Sequence, residues 1–215
     1  SEFSFIFVGD PQIGSSNEEK AKKPEDIAKE TFKIAQNESV CNDTFNWNDT
    51  LNKAIAKTNG KASFILSAGD QIDYSSGGDT GYLIREQEYA GFLYPSELRS
   101  VPLATTIGNH ESLGDDYSLH YNNPNASVLG STTSGGDYYY SYGDVLFISL
   151  NSNSRNVEEH RSLMKKAIES HSDAKWKVVM FHHDIYGSGS PHSDVDGANL
   201  RILFAPLMDE FNIDL

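Results

Sequence analysis

The chain has 215 residues, enough for one α/β domain or a large part of one. Hydrophobic residues make up 38% and charged residues 22%, a globular balance that excludes wholesale disorder. With 17 basic and 31 acidic residues the formal charge is −14, which argues against a nucleic-acid scaffold, because neutralising phosphates takes clustered Lys and Arg.

In chain order, residues 3–8 read as a buried strand that stops at Gly9-Asp10-Pro11. Residues 24–36 predict a helix, with Ile27, Ala28, Phe32 and Ala35 on one face. A second helix is expected around Trp47, Leu51, Ala54 and Ile55, closed by Asn59-Gly60. Residues 62–68 form the next strand and end at Gly69-Asp70. Residues 82–94 read as helix up to Pro95, and residues 101–107 as a third strand ending at Gly108-Asn109-His110. The polar stretch 111–137 is too long for a plain connection and is expected to be a functional surface excursion, with Tyr117, His120 and Tyr121 offering a substrate wall. Residues 138–142 and 145–150 flank Gly143-Asp144 as a β-hairpin. Val157, His160, Met164 and Ala167 mark a helix, and residues 176–181 a strand ending at His182-His183. Leu200, Phe204, Leu207 and Phe211 form a last helical stripe, with Pro206 as a restart or kink, and residues 212–215 open one more strand.

The single Cys41 excludes an internal disulfide framework and any Cys-rich zinc site. No apolar run reaches the length of a transmembrane helix, so membrane embedding is not expected. Ser1-Glu2-Phe3 leads straight into a strand without a signal peptide. Asn37, Asn42, Asn48 and Asn125 each begin a glycosylation acceptor tripeptide, and a secreted or cell-surface location is the expectation.

Four apolar strands each end at a candidate ligand: Asp10, Asp70, Asn109 and His182. The carboxyl ends of strands are where α/β proteins build sites. Each ending alone is compatible with a turn, since Gly, Asp and Pro are turn formers. Together they are an oxygen and imidazole donor set suited to Mn, Fe, Zn or Mg. One carboxylate can bridge two cations, and two metals stabilise both attacking and leaving oxygens in phosphoryl transfer. Bound metal would also offset the excess of carboxylates facing an anionic substrate.

The order GD…GDxxD…GNHE…strand-HH resembles the calcineurin-like metallophosphoesterase superfamily over nearly the whole chain. The block GDPQIG and the segments 138–151 and 182–186 are most similar to bacterial members of its purple-acid-phosphatase-like branch. The resemblance implies a two-sheet β-sandwich flanked by helices, with residues 1–215 as the larger, N-terminal part of one catalytic domain. It implies hydrolysis of phosphate esters, on a phosphorylated small molecule or another phosphoester, by metal-bound hydroxide attacking phosphorus in line. Two divalent or mixed-valence ions (Fe, Mn or Zn) are the expected cofactors. Asp10 would bind the first metal, Asp70 would bridge, and Asn109 and His182 would bind the second. His110 would face the phosphoryl group and His192 the leaving group, with His183 supporting its neighbour.

Three departures stand out. Gln12 occupies the position where many members carry His, so it is at most a weak further ligand. Asp73 occupies the offset of the metal-bound Tyr of purple enzymes, with Tyr74 one residue late and, if the segment is extended, pointing away. The closing GHxH motif does not occur, and truncation at the C-terminus is the expectation. The alternative is a non-catalytic metal- or anion-binding module of the same fold, favoured by Gln12 and the missing histidines. A purely structural reading leaves four ligand-type strand ends unexplained.

Overall fold

β1 (Ser4–Val8), β2 (Ala62–Ser67) and β3 (Leu103–Thr105) pair side by side, all parallel, with β2 in the middle. The computed structural model describes residues 2–21, 24–75, 79–187 and 195–215. Parallel neighbours need a crossover, and helices supply it here: α1 (Glu30–Lys57) joins β1 to β2, and α2 (Asp79–Phe92) joins β2 to β3. Phe64, Ile65, Leu66 and Ser67 of β2 are all buried, which is why that strand reads as an unbroken apolar run rather than an alternating one. These elements form one compact unit, Glu2–Thr105.

The two helices expected before β2 are one. A 3-10 turn covers Pro24–Ala28, and α1 then runs unbroken for 28 residues. The polar middle that suggested a gap holds no Pro or Gly to stop a helix. Phe32, Gln36, Ser39, Val40, Trp47 and Leu51 all lie on its buried stripe. Trp47 stacks on Phe92 of α2 at 5.2 Å and donates its indole N–H to the Phe92 carbonyl at 2.9 Å. The helix closes at Asn59-Gly60, as expected, where the Gly60 amide reaches back to the Ile55 carbonyl.

The second unit, Thr106–Leu215, is built on β4 (Tyr138–Tyr142), β5 (Val145–Ser149) and β6 (Trp176–Met180). The hairpin β4–β5 is antiparallel, and β6 joins β5 in parallel after the crossover helix α4 (Val157–Ser170). Asn156 caps α4 by accepting from the Glu159 amide. Leu146, Ile148 and Leu150 pack with Leu163, Met164 and Ala167 of α4 and with Leu200, Phe204 and Leu207 of α5 (Val195–Glu210). Helix α5 runs through Pro206 instead of restarting there. Leu215 accepts from the Val179 amide at 2.8 Å and donates to the Lys177 carbonyl at 3.4 Å, the bonding of a parallel strand beside β6. Each unit thus carries a small sheet flanked by helices, the α/β architecture that the sequence predicts.

The stretch 111–137 lies largely at the surface but has structure of its own. It contains a short helix, α3 (Asp116–His120), and returns through paired backbone between Ser127, Leu129 and Asp137. Tyr117 is only 3% exposed, and its hydroxyl accepts from the Asn123 side chain at 2.9 Å, so it serves packing and not an open wall.

Candidate functional site

In the first unit, β1 and β2 run out together and change conformation at the same step. Asp10 and Asp70 both adopt left-handed backbone, each with φ 49°, and Gln12 follows at φ 37°. Such conformations are costly for residues with a Cβ and cluster where function demands them. The chains stay tied across the break: the Asp10 amide donates to the Gly69 carbonyl, the Gln12 amide to Asp70 and the Ile13 amide to Gln71. Buried Ile13 and Ile72 then re-pair as a parallel bridge. This places a carboxylate oxygen of Asp10 and one of Asp70 within 4.8 Å of each other. Asp70 is 3% exposed, and the Gln12 side-chain amide donates to its Oδ2 at 3.1 Å. Two converging carboxylates with one uncharged donor are a cation-seeking arrangement. A cleft of about 470 Å³ opens beside Asp10 and Pro11, walled by Asn46, Trp47 and Thr50 of α1.

In the second unit, the turn after β3 and the end of β6 meet. His182 donates from Nε2 to Asn109 Oδ1 at 2.9 Å. The Asn109 turn is braced by buried Glu111, which accepts from the Gly108 amide at 2.7 Å, and by Ser112, whose hydroxyl donates to the Asn109 carbonyl at 2.8 Å. His110 sits on this same turn. His183 Nδ1 lies 2.7 Å from Ser152 Oγ, with its ring edge-on to His182. His183 is therefore engaged by Ser152 on the side of its Nδ1. The structure brings together Asp10, Gln12 and Asp70 in one unit, and Asn109 and His182 in the other. The expectation for His192 falls outside the described residues.

The calcineurin-like phosphoesterase family profile matches residues 3–215. The chain belongs to this family. No curated protein matches it. Membership carries metal-dependent phosphoester hydrolysis as the class of chemistry, with phosphoesters as substrates and divalent metals as cofactors. The donors at the strand ends fit such ions, being carboxylate, amide and imidazole groups on loops held by backbone pairing. No helix among the described residues is long and apolar enough to cross a membrane.

Sequence reasoning missed the groups that hold these phosphoesterase loops. Glu88 of α2 is 1% exposed. Its Oε2 accepts from the amides of both Asp73 and Tyr74, at 3.0 and 2.8 Å, and its Oε1 accepts from Gln36 at 2.6 Å. Successive amides aimed at one oxygen make a bend, so the condition of an extended segment at Asp73-Tyr74 is not met. Gly14, at φ 104°, lies against the same carboxylate, and a Cβ there would collide with Glu88. Asp43 of α1 accepts from the amides of Gly14 and Ser16, which explains the polar middle of that helix. Burial pushes the Glu88 pKa up to about 8, outweighing the hydrogen bonds it accepts. A charged residue inside an apolar helical stripe was the available signal.

His160 is the parallel case in the second unit. It and Asp137 are both 0% exposed, with Nδ1 and Oδ2 2.7 Å apart, and Nε2 donates to the Ser154 carbonyl at 3.1 Å. Burial opposes its charge, but the bond to Asp137 and that carboxylate's charge hold its pKa above the ordinary value. Burial raises Asp137 as well, against the pull of His160.

Proposed function

We propose that residues 1–215 form the larger, N-terminal part of one catalytic domain that hydrolyses phosphate esters at a two-metal centre of the purple-acid-phosphatase-like type. Asp10 would hold one ion, Asp70 would be shared between the two, and Asn109 and His182 would hold the other, with Gln12 a weak further ligand. Iron, manganese or zinc would supply hydroxide near neutral pH for in-line attack on phosphorus and would polarise the phosphoryl oxygens. His110 donates to the equatorial oxygens as charge builds, and His192 protonates the leaving oxygen.

The observation that carries this reading is the pair of left-handed aspartates, Asp10 and Asp70, held with their carboxylates together in a chain of this family. Metal content and turnover of a generic aryl phosphate, measured together, test it. Two ions per chain with metal-dependent turnover support it; turnover that survives complete metal removal overturns it.

A second reading, a non-catalytic metal- or anion-binding module, draws on Gln12, whose amide nitrogen is turned to Asp70. Metal binding without turnover would decide for that module. The iron-loaded protein should also lack an intense visible band, since Asp73 stands at the phenolate offset and is paired with Lys20 at 3.1 Å. A purple form lost in Tyr74→Phe would refute this.

A further inference from the structure

We propose that the segment Asn151-Ser152-Asn153, directly after β5, is the positioning bracket of the Asn109 and His182 half of the centre, with Asn153 setting the Asn109 turn. The proposal rests on the ligand roles assigned above to Asn109 and His182.

Both ligand-bearing segments are gripped by neighbouring residues of this one loop. The Asn153 side-chain amide donates to the Gly108 carbonyl at 3.1 Å and to the Ile107 carbonyl at 3.4 Å, the two carbonyls just ahead of Asn109. Ser152 Oγ accepts from the His183 amide at 3.2 Å and meets His183 Nδ1 at 2.7 Å, just behind His182. One residue earlier, Asn151 anchors the bracket to the interior. Its backbone amide donates to Asp137 Oδ1 at 2.7 Å, and its side chain donates to Thr132 Oγ1 and the Gly135 carbonyl. Asn151 Oδ1 also accepts from the Asn153 amide nitrogens of backbone and side chain, at 3.2 and 2.9 Å. Asp137 is in turn bound to His160, whose other nitrogen holds the Ser154 carbonyl at the far end of the same loop.

An ordinary loop satisfies its own backbone or faces water. This one sends side chains to the main chain 45 residues upstream and 31 residues downstream, and its anchor is the fully buried His160–Asp137 pair. Such hydrogen bonds behind metal ligands fix their orientation, and losing one typically costs about 10–100-fold in metal affinity or activity. Asn153 is a positioning residue and has no contact with substrate in this proposal.

The test is Mn²⁺ titration, by calorimetry and electron paramagnetic resonance, on the full chain and on Asn153→Ala, Asn153→Asp, Ser152→Ala and Asn156→Ala. Asn153→Ala should weaken one of two Mn²⁺ sites about tenfold or more, leave the other unchanged, and lower kcat for an aryl phosphate with KM nearly constant. Asn153→Asp, matched in shape, should be at least as damaging, because it turns a carboxylate oxygen toward three acceptor oxygens. Ser152→Ala should weaken the same site to a smaller extent. Asn156→Ala removes only the cap of α4 and should lower Tm without moving Mn²⁺ affinity. Loss of Tm with unchanged affinity for both ions in the Asn153 and Ser152 variants would overturn the bracket and leave the metal centre standing. A wild-type chain that binds no Mn²⁺ and hydrolyses nothing would overturn both. Should Asn153→Ala not fold, Ser152→Ala carries the same comparison on the other arm.

Discussion

Asp70 allows charge and backbone to be separated by choice of substitution. Its φ of 49° is one that Asn tolerates and Ala does not. Asp70→Asn should therefore keep the fold, with the melting temperature close to wild type, while bound metal and turnover are lost. Asp70→Ala should lose both metal and about 1–3 kcal/mol of stability, the usual cost of strained backbone. Retention of two metals and normal turnover in Asp70→Asn would remove it from the bridging position. His110→Ala should lower kcat by about 2.7–4 kcal/mol of barrier with metal content intact, the effect of losing a transition-state donor; parallel loss of metal would make it a ligand instead.

Glu88 gives a residue-scale dependence on pH. Its pKa stands at about 8 in the fold against an ordinary 4.5, so the folded state holds a proton that the unfolded chain has released. That contribution to stability is full below about pH 4.5, declines as pH rises, and is gone above about pH 8. Denaturant unfolding at pH 5, 7 and 9 should show wild type losing stability across this window relative to Glu88→Gln. Parallel curves for the two proteins would show that Glu88 is ionised throughout.

At the scale of elements, α1 and α2 approach each other at Gly91. A Cβ placed there would collide with Thr44 Oγ1 and come within 2.9 Å of Ile13 Cγ2. Helix propensity favours Ala over Gly by about 1 kcal/mol, but overpacking costs about 1–3 kcal/mol. Gly91→Ala should thus be destabilising overall, by about 1 kcal/mol, and Thr44→Ala should restore part of the loss in the double variant. Because Ile13 follows directly on the Asp10–Gln12 turn, the same variant should weaken metal binding. A Gly91→Ala protein with a raised melting temperature would show that the helices have room to part.

For the whole molecule, the charge of −14 makes metal binding a matter of stability as well as chemistry. A ligand that binds only the folded state stabilises it by about 2.7 kcal/mol at a hundredfold excess over Kd. Addition of Mn²⁺ or Zn²⁺ should raise the melting temperature of wild type, chelator should reverse it, and Asp70→Asn should show neither change. An equal shift in Asp70→Asn would mean that the ions bind surface carboxylates at large.

Strand ends were legible in the sequence because apolar runs stopping at Gly-Asp, Asn-His and His-His are local signals, set by backbone chemistry over a few residues. Asp10, Asp70, Asn109 and His182 could be named from such signals, and so could the family resemblance that the profile match bears out. The unbroken α1 was not legible: residues 37–46 look like a gap until Ser39 and Asp43 are seen holding the loop around Gly14 and Ser16. Only the tertiary structure revealed that Glu88 bends the Asp73-Tyr74 segment and that His160 is buried on Asp137. Those partners are separated along the chain by 14 or more residues, and no periodicity encodes a long-range hydrogen bond. A helical His or Glu carries the same letter whether it faces water or a buried partner, so burial, which sets both its charge and its purpose, is decided by packing.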